Sequence, residues 1–331
     1  MKTEVLSALT DHDETVRRAV ERLKNGDPVG LPTETVYGLA ADALREEAVL
    51  KIFEAKSRPR FDPLIVHLPD AEAIGRVAFI DPSVKALFDK LQKSFWPGPL
   101  TFIFPRRAVV SDWVTAGLKT VAVRLSAHPI FAEIVRSFGG PLAAPSANRF
   151  GRISPTTAAH VHDELEGLIP LIVDAGPTAH GLESTIVALR NGRIEILRRG
   201  PITEEQLAEF GEVSVIGPTL HPEAPGQLPS HYAPRTPLQL VDDPANVACP
   251  AGKRCGLLAW NRPEAGQFAE VRRLSKRQDV VEAATNLFRL LRELDGQNLD
   301  LIIAEMVPDQ GLGAAINDRL RRAATPREAA S

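Results

Sequence analysis

The chain has 331 residues, a length that favours about two domains, each with a buried core of its own. Hydrophobic residues make up 44% and charged residues 24% of the sequence, which excludes disorder, collagen and coiled coil as its general class. The net charge of −3, from 39 Lys and Arg against 42 Asp and Glu, excludes histone-like binding of a polyanion by the whole surface.

The cysteine content and the first residues bear on the compartment. Cys249 and Cys255 are too few for a framework of several disulfides, and their spacing does not form a Cys-x-x-Cys zinc site, so a reducing cytoplasm is expected. Glu4, Asp11 and Asp13 stand where a signal peptide needs an apolar region. No apolar run approaches the ~20 residues that span a bilayer. We therefore expect a cytoplasmic protein outside the membrane.

Short apolar runs alternate with amphipathic stretches over the first two hundred residues, a pattern that predicts α/β layers. In chain order the predicted elements are a helix with Val16, Val20 and Leu23 on one face, a strand at Val29–Leu31, a helix at Glu46–Ala55, a strand at Leu64–Leu68, a helix at Val84–Phe95, strands at Leu100–Phe104 and Val121–Leu125, a helix at Ile130–Phe138, and strands at Leu142–Ala144 and Leu171–Val173. Asn191-Gly192, between Ser184–Arg190 and Arg193–Arg199, predicts an antiparallel hairpin. The sheet is therefore predicted to be mixed.

A proline-rich segment follows at residues 217–237, and no helix or central strand tolerates its density of proline and glycine. It predicts a linker between a domain at 1–216 and a second domain at 238–331. Because the segment is stiff and contains His231 and Tyr232, it can also lie across a neighbouring site. Strands predicted at Leu238–Val241, Gly256–Trp260 and Leu299–Met306, with helices near Val280–Leu294 and Ala314–Ala324, indicate a smaller α/β domain.

Basic residues cluster where the helix at Glu46–Ala55 is predicted to end. Lys56, Arg58 and Arg60 fit a phosphate site, and they fit equally well a solvated helix end, where cations are favoured by the helix dipole. The apolar strand that follows favours a site, since α/β folds bind ligands at strand ends. Arg124 lies in another apolar strand and needs an anionic partner, which is either a ligand or a structural carboxylate.

Three further segments carry small polar groups. Ser146 and Asn148 end a short apolar strand and leave room for a ligand. Ser154 and Pro155 have the pattern of an N-cap and first residue of a helix through about Leu165, and simple capping accounts for that pattern as well as anion binding does. The turn at residues 32–39 is rich in hydroxyl groups but unspecific.

Several familiar motifs are missing from the sequence. It contains no GxxxxGK[ST] phosphate loop and no GxSxG nucleophile elbow. Ile316 stands where a dinucleotide fingerprint starting at Gly311 would need its third glycine. Catalysis by a nucleophilic side chain therefore has no evident candidate.

Several segments carry a resemblance to a known family: GLPTETVYGLAADA, KIFEAKSRPRFDPLIVHL, FWPGPLTFIF, TVAVRLSAHP, PLAAPSANRFGRISPT, VDAGPTAHGLESTIV and ILRRGPIT. In this order they resemble the threonylcarbamoyl-AMP synthase family, or YrdC-like proteins. The linker APGQLPSHYAPRTP and the domain after it resemble the two-domain type of that family. The resemblance implies a twisted mixed parallel and antiparallel sheet with helices, followed by a smaller Rossmann-like α/β domain.

The same resemblance implies a nucleotidyltransferase that joins L-threonine, bicarbonate and ATP into threonylcarbamoyl-AMP and releases pyrophosphate. The product would pass to other proteins that transfer it to the adenosine beside the anticodon of tRNAs, and a weak contact with RNA is expected. One alternative is a double-stranded RNA-binding module without this activity, although the net charge argues against it. A second is a hydrogenase-maturation carbamoyltransferase, which carries zinc-finger cysteine pairs that this chain lacks.

The resemblance also implies site residues, in three groups. The catalytic residues would be the Lys-x-Arg and Ser-x-Asn pairs, Lys56, Arg58, Ser146 and Asn148. The threonine site would comprise Thr35, His67, Arg124, the backbone of Ala144, and Ser184. The ATP site would comprise Lys56, Arg58, Asp62, Thr120, Ser146, Asn148, Ser154, Arg198 and Tyr232. Mg²⁺ would be held mainly by the ATP phosphates, without a metal site on the protein.

The chain departs from the family pattern at two places. Asp62 replaces the usual asparagine and would repel phosphate unless Mg²⁺ or Arg60 intervenes, and residues 227–230 replace a Met-Lys-Tyr-Arg stretch. Lys56 and Arg58 are expected in an exposed loop, so that alanine at either position would leave the fold intact. Because a carbamate loses carbon dioxide readily in water, the linker is expected to be a lid with Tyr232 closing over the nucleotide.

Overall fold

The computed structural model describes residues 2–217, 219, 222–261 and 268–325, and it arranges their strands in two sheets. The strands are β1 Glu4–Ser7, β2 Val29–Leu31, β3 Gly38–Asp42, β4 Ile65–His67, β5 Leu100–Pro105, β6 Thr120–Arg124, β7 Leu142–Ala143, β8 Leu171–Asp174, β9 Thr185–Arg190, β10 Arg193–Arg198, β11 Val213–Val215, β12 Leu238–Val241, β13 Cys255–Ala259, β14 Glu270–Arg273 and β15 Leu301–Glu305. The helices are α1 His12–Lys24, α2 Glu46–Lys56, α3 Ile74–Val77, α4 Pro82–Phe95, α5 Asp112–Thr115, α6 Pro129–Phe138, α7 Ala158–Leu165, α8 Glu204–Ala208, α9 Val280–Asp295 and α10 Leu312–Ala324.

The larger sheet has 11 strands in the order β1-β8-β2-β3-β7-β4-β6-β5-β9-β10-β11. It is mixed, as predicted, because β4 and β6 pair in parallel whereas β5 and β6, and β9 and β10, pair antiparallel. The parallel register sets His67 opposite Arg124, so both side chains belong to the carboxyl ends of central strands. Ligand sites of α/β folds lie at such ends.

Some strands were not predicted, and β3 matters most for the site. No strand was predicted in the hydroxyl-rich turn at residues 32–39 or between it and the helix that begins at Glu46, but β3 lies there and pairs with β2 and β7. Its sequence, Gly-Leu-Ala-Ala-Asp, has little β propensity, so its position between two strands outweighs the intrinsic preference. The edge strands β1, β11 and β14 are short and only partly buried, so they lack a continuous apolar run.

The helix predicted from Ser154 begins later, and this prediction was wrong. α7 begins at Ala158, and its N-cap is Thr157, whose hydroxyl accepts a hydrogen bond from the backbone N–H of His160. Ser154 is fully buried and donates its hydroxyl to a carboxylate oxygen of Glu183 instead. Either residue is a good N-cap, and the contact with Glu183 decides between them.

The smaller sheet has four parallel strands in the order β12-β15-β13-β14, with α9 and α10 packed beside it. It fits the predicted smaller α/β domain. Cys249 and Cys255 form a disulfide just before and at the start of β13, a bond that the sequence-based expectation of a reducing compartment did not include. No helix of the described residues has the length and apolar character required to cross a bilayer.

Three loop residues from the part of the chain that forms the larger sheet pack into the core of the smaller sheet, so the two parts are not separated by a free linker. Val36, Ile153 and Leu182 pack in the same buried cluster as α9 and α10. Gly181 lies directly against α9, where a Cβ atom would come within 2.5 Å of the Thr285 carbonyl oxygen. The described residues of the segment between β11 and β12 form neither helix nor strand, as predicted; Pro218 of that segment lies outside them.

Candidate functional site

A cavity lies at the carboxyl ends of β4 and β6, covered by the segment before β12. It encloses only ≈ 40 Å³. Its lining residues are Thr33, Thr35, Val36, Gly38, Arg58, Ile65, His67, Arg124, Ala144, Pro145, Ser146, Glu183, Arg198, Pro225, Gly226, His231 and Tyr232. Of the residues that the sequence analysis proposed, eight therefore line one space: Thr35, Arg58, His67, Arg124, Ala144, Ser146, Arg198 and Tyr232.

Arg124 is buried at the end of β6 and is held on three sides. Its Nε donates to the Gly98 carbonyl oxygen at 3.2 Å and its Nη1 to the Thr35 hydroxyl at 3.0 Å. Its Nη2 lies 2.7 Å from a carboxylate oxygen of Glu34. The anionic partner of Arg124 within the protein is therefore Glu34. Arg124 also lines the cavity, so a structural ion pair and a position at the cavity are both present.

Glu34 is a buried carboxylate with several donors. Besides Arg124, it accepts hydrogen bonds from the Ser126 hydroxyl and, at 3.1 Å, from the Ala127 N–H. Burial alone would raise the pKa of Glu34, but the charge of Arg124 and these hydrogen bonds outweigh it and lower the pKa from 4.5 to about 2. The carboxylate is thus ionised at all ordinary pH values and fixes the Arg124 guanidinium.

This lowered pKa makes stability depend on pH. A group with a lowered folded-state pKa contributes stability above its unfolded pKa, and that contribution is lost as pH falls towards the folded pKa. We expect the unfolding free energy of the wild type, measured with urea, to fall by on the order of 3 kcal/mol more than that of Glu34→Gln between pH 6 and pH 2. Parallel pH dependences for the two proteins would contradict this assignment.

His67 lies opposite Arg124 and is neutral. Burial and the neighbouring Arg124 charge lower the pKa of His67 to about 3. Its ring packs against Phe131 with centroids 4.8 Å apart, and its Nδ1 is buried without a hydrogen-bond partner among the described residues. The Ala144 N–H is already used, because it donates to the Ile65 carbonyl oxygen at 2.9 Å. A backbone contact of Ala144 with a ligand would therefore involve its carbonyl oxygen.

Lys56 is buried, with 1% of its surface exposed, so the expectation of an exposed basic loop was wrong. Its Nζ donates to the carbonyl oxygens of Ser146 and Asn148. Burial, together with the Arg58 charge, holds the pKa of Lys56 well below its usual range. The amine ties the end of α2 to the segment after β7, and its replacement therefore affects the fold.

Arg58 is also buried, and its partner is Asp62. The Arg58 Nε and Nη2 donate to the carbonyl oxygens of Asp62 and Pro63 at 3.1 and 2.8 Å. Nη2 lies 2.8 Å from an Asp62 carboxylate oxygen. Burial raises the pKa of Asp62 against the opposing effect of Arg58. Arg60 does not pair with Asp62, since its guanidinium lies over the Trp113 ring at 4.2 Å. The negative charge of Asp62, which would repel a phosphate, is instead balanced by Arg58.

Several predicted residues lie behind the cavity wall rather than in it. Ser184 accepts a hydrogen bond from Arg198 Nη2 at 3.0 Å and lies 2.8 Å from the Thr101 hydroxyl. Asn148 donates to the carbonyl oxygens of Arg149 and Arg152, and its own Oδ1 is buried without a hydrogen-bond partner among the described residues. Thr120, at the far end of β6 from Arg124, is not among the lining residues. These residues support the lining or lie outside it.

The covering segment contributes a histidine and a tyrosine. Tyr232 has a positive φ of 63° and is buried, and its hydroxyl has no hydrogen-bond partner among the described atoms. The His231 ring lies 4.2 Å from the Tyr232 ring, and burial lowers the pKa of His231 well below its usual range. Gly226, with φ +81°, passes so close that a Cβ atom there would lie 2.6 Å from the Tyr232 hydroxyl. The segment is therefore closed tightly over the cavity.

Two carboxylates of the site, Glu34 and Glu183, were not predicted from the sequence. Glu34 lies in the hydroxyl-rich turn at residues 32–39, and its position beside Thr35 is the only signal that the sequence offers for it. Glu183 lines the cavity and accepts a hydrogen bond from the Ser154 hydroxyl. It also accepts one from Nε of Arg319, in α10, at 2.9 Å. Nothing in the sequence connects Glu183 with an arginine of the second sheet's helices.

Comparisons with known proteins agree along the whole chain. A family model described as "Telomere recombination" matches residues 21–200, and one described as "Threonylcarbamoyl-AMP synthase, C-terminal domain" matches residues 202–325. The threonylcarbamoyl-AMP synthase of Bacillus subtilis is 39% identical over 98% of this chain and 97% of its own length. That of Schizosaccharomyces pombe is 36% identical over 94% of this chain and 88% of its own. The crystal structure of Pyrococcus abyssi Sua5 complexed with L-threonine has a TM-score of 0.87 at 35% identity, covering 97% of this chain and 98% of that one.

Proposed function

Because the chain belongs to the threonylcarbamoyl-AMP synthase family and is an enzyme of that nucleotidyltransferase type, we propose that this cavity joins L-threonine, bicarbonate and ATP. The observation that carries the proposal is that Arg124, Arg58 and Arg198 line one cavity. A carboxylate substrate and a triphosphate both need such cations, and they must meet there for the reaction to occur. The product is threonylcarbamoyl-AMP, and pyrophosphate leaves.

The threonine end of the cavity is assigned to Arg124, with Thr35, His67, Ala144 and Ser184 around it. Of the five N–H groups of Arg124, two donate to the neutral oxygens of Gly98 and Thr35. Nη2 also pairs with Glu34 at 2.7 Å, so two N–H groups remain for the substrate carboxylate. Neutral His67 adds no second positive charge, so the threonine amine is not repelled and can be carboxylated.

The nucleotide end is assigned to Arg58, Arg198 and Tyr232. Arg198 is held by the Ser184 carbonyl at 3.0 Å and the Pro225 carbonyl at 3.2 Å, and Arg58 by Asp62. Lys56, Ser146, Asn148, Thr120 and Ser154 remain proposed ATP residues. Lys56 donates to the carbonyl oxygens of Ser146 and Asn148. It would therefore contribute to phosphate binding by fixing the segment that carries these two residues.

Magnesium is proposed to enter with the nucleotide. No cluster of three His, Cys, Asp or Glu side chains suited to a metal ion occurs among the described residues. Two buried carboxylates at the proposed nucleotide end, Asp62 and Glu183, are each paired with an arginine. Mg²⁺, which prefers phosphate oxygens and water, would therefore be bound as part of its ATP complex.

The proposed mechanism relies on positioning and charge. Arg124 orients threonine so that its carbamate oxygen faces the α-phosphorus, while Arg58 and Arg198 stabilise the charge that develops as pyrophosphate leaves. A closed cavity also protects the carbamate from water. The missing nucleophile is consistent with this chemistry, because the carbamate itself is the nucleophile.

The covering segment is proposed to be a lid. The enclosed ≈ 40 Å³ is far below the roughly 300–1,000 Å³ of typical ligand pockets, so ATP and threonine cannot occupy the cavity in this form. Pro225, Gly226, His231 and Tyr232 form the cover and must withdraw for substrates to enter. We propose that the lid comprises residues 217–237, between domains at 1–216 and 238–331.

Transfer of the product to tRNA by other proteins, a weak RNA contact and a cytoplasmic location remain predictions. The RNA-binding module without catalytic activity is not favoured by the comparisons, since the curated relatives are synthases. Salt-dependent RNA affinity in a protein that lacks threonine-dependent chemistry would support that alternative.

The proposed reaction is tested by following pyrophosphate release from ATP. We expect release when threonine and bicarbonate are both present, and a fall of at least tenfold when either one is omitted. Equal release without threonine would contradict the substrate assignment, whereas equal release without bicarbonate in carbonate-free buffer would contradict the carbamate step.

A further inference from the structure

Arg319 of α10 is the largest fully buried side chain of the described residues, and none of its surface is exposed. Its three nitrogens contact three different groups. Nε donates to Glu183 at 2.9 Å, Nη2 to the Arg199 carbonyl oxygen at 2.7 Å, and Nη1 to Asp318 at 2.8 Å. Glu183 and Arg199 flank β9 and β10 of the larger sheet, so one arginine joins the smaller domain to the cavity wall.

The same guanidinium also supports the lid. Its central carbon lies 5.0 Å from the centre of the Tyr232 ring, and Phe288 of α9 stacks against that ring with centroids 5.5 Å apart. A cation over an aromatic face is attracted to it, and more strongly when water is excluded. Arg319 does not line the cavity itself, so any effect on substrates passes through Tyr232 and Glu183.

We infer that Arg319 is a positioning residue through which the smaller domain sets the nucleotide side of the cavity. It fixes Glu183, which in turn accepts the hydroxyl of Ser154, and it fixes the ring of Tyr232. This inference rests on the proposed function, in which Tyr232 and Ser154 belong to the ATP site. It assigns to the smaller domain a part in nucleotide binding, beyond its role in carrying the linker.

A second arginine provides a matched control. Arg292 of α9 also joins the two domains, since its Nη1 lies 3.2 Å from Glu164 and its Nη2 donates to the Ile153 carbonyl oxygen. Neither Arg292 nor Glu164 lines the cavity. Loss of Arg292 therefore weakens the same domain contact without touching the wall of the site.

The test compares Arg319→Gln, Arg319→Lys and Arg292→Gln by steady-state pyrophosphate release. We expect Arg319→Gln to raise KM for ATP about tenfold and leave KM for threonine within about twofold. Arg319→Lys, with one nitrogen in place of three, should recover only part of the loss. Arg292→Gln should change both KM values by less than about twofold. A purely structural role predicts unchanged KM values with a lower kcat from a smaller active fraction, and that result would overturn the inference.

If Arg319→Gln fails to fold, Asp318→Asn decides when it is compared with Arg322→Gln. Asp318 pairs with both arginines, and the comparison separates its contact with Arg319 from its contact with Arg322, while Glu183 stays paired. We then expect a rise of about threefold in KM for ATP with KM for threonine unchanged, and no rise would overturn the inference. Failure of the proposed function is recognised separately, since the wild type itself would then lack threonine-dependent release.

Discussion

Replacing Arg124 with glutamine is expected to reduce kcat/KM for threonine about a thousandfold, because the substrate carboxylate loses its charged partner. The same change leaves Glu34 buried without its counter-charge, and removing one member of a buried ion pair costs about 3–5 kcal/mol of unfolding free energy. Both effects are measurable, by pyrophosphate release at varied threonine and by urea unfolding. Each effect follows from the double role proposed for one guanidinium, in the fold and at the threonine end of the cavity.

Two further variants separate these effects. Glu34→Gln combined with Arg124→Gln removes both charges and should recover about half of the lost stability but none of the activity. Arg193→Gln breaks an exposed pair with Glu212, in which the arginine side chain is 58% exposed, and should leave stability and kcat/KM nearly unchanged. Normal threonine kinetics in folded Arg124→Gln would contradict the assignment of the threonine end.

Replacing Lys56 with methionine is expected to lower the unfolding free energy by about 2–4 kcal/mol, because two buried carbonyl oxygens lose their hydrogen-bond donor. Activity should fall at least about a hundredfold, since the segment with Ser146 and Asn148 is no longer fixed against α2. Urea unfolding and kcat/KM for ATP measure the two consequences.

Lys51→Met is the control for Lys56→Met, because Lys51 lies on the same helix with 43% of its side chain exposed and pairs with Asp27. It should change stability by less than about 1 kcal/mol and leave catalysis unchanged. If Lys56→Met were as stable as Lys51→Met, the buried contacts of the amine would not contribute as the geometry indicates.

Elements with a continuous apolar, β-branched run were predictable from the sequence. The strands at Leu100–Pro105 and Thr120–Arg124 are examples, and the Asn-Gly turn gave the hairpin of β9 and β10. Such signals are local, because a buried strand needs apolar residues whatever its neighbours are. β3 carried no such signal, because the strands on either side of it supply the burial.

The contents of the site were predictable to a smaller degree. The resemblance named many of the cavity residues, but it could not show that Lys56 is buried, since a lysine at a helix end is usually solvated. The partners of Arg124 and Arg319 lie far away along the chain, and a single sequence contains no record of such pairs. Ion pairing between distant segments is decided by tertiary packing alone.

The buried cluster shared by Val36, Ile153, Leu182 and the helices α9 and α10 bears on how the protein can be divided. A fragment that ended before the second sheet would expose these three side chains to water at an apolar surface. Loss of activity in such a fragment would then reflect a destabilised larger sheet as much as the absence of the segment that covers the cavity. Point variants therefore separate the contributions of the two halves more cleanly than truncation does.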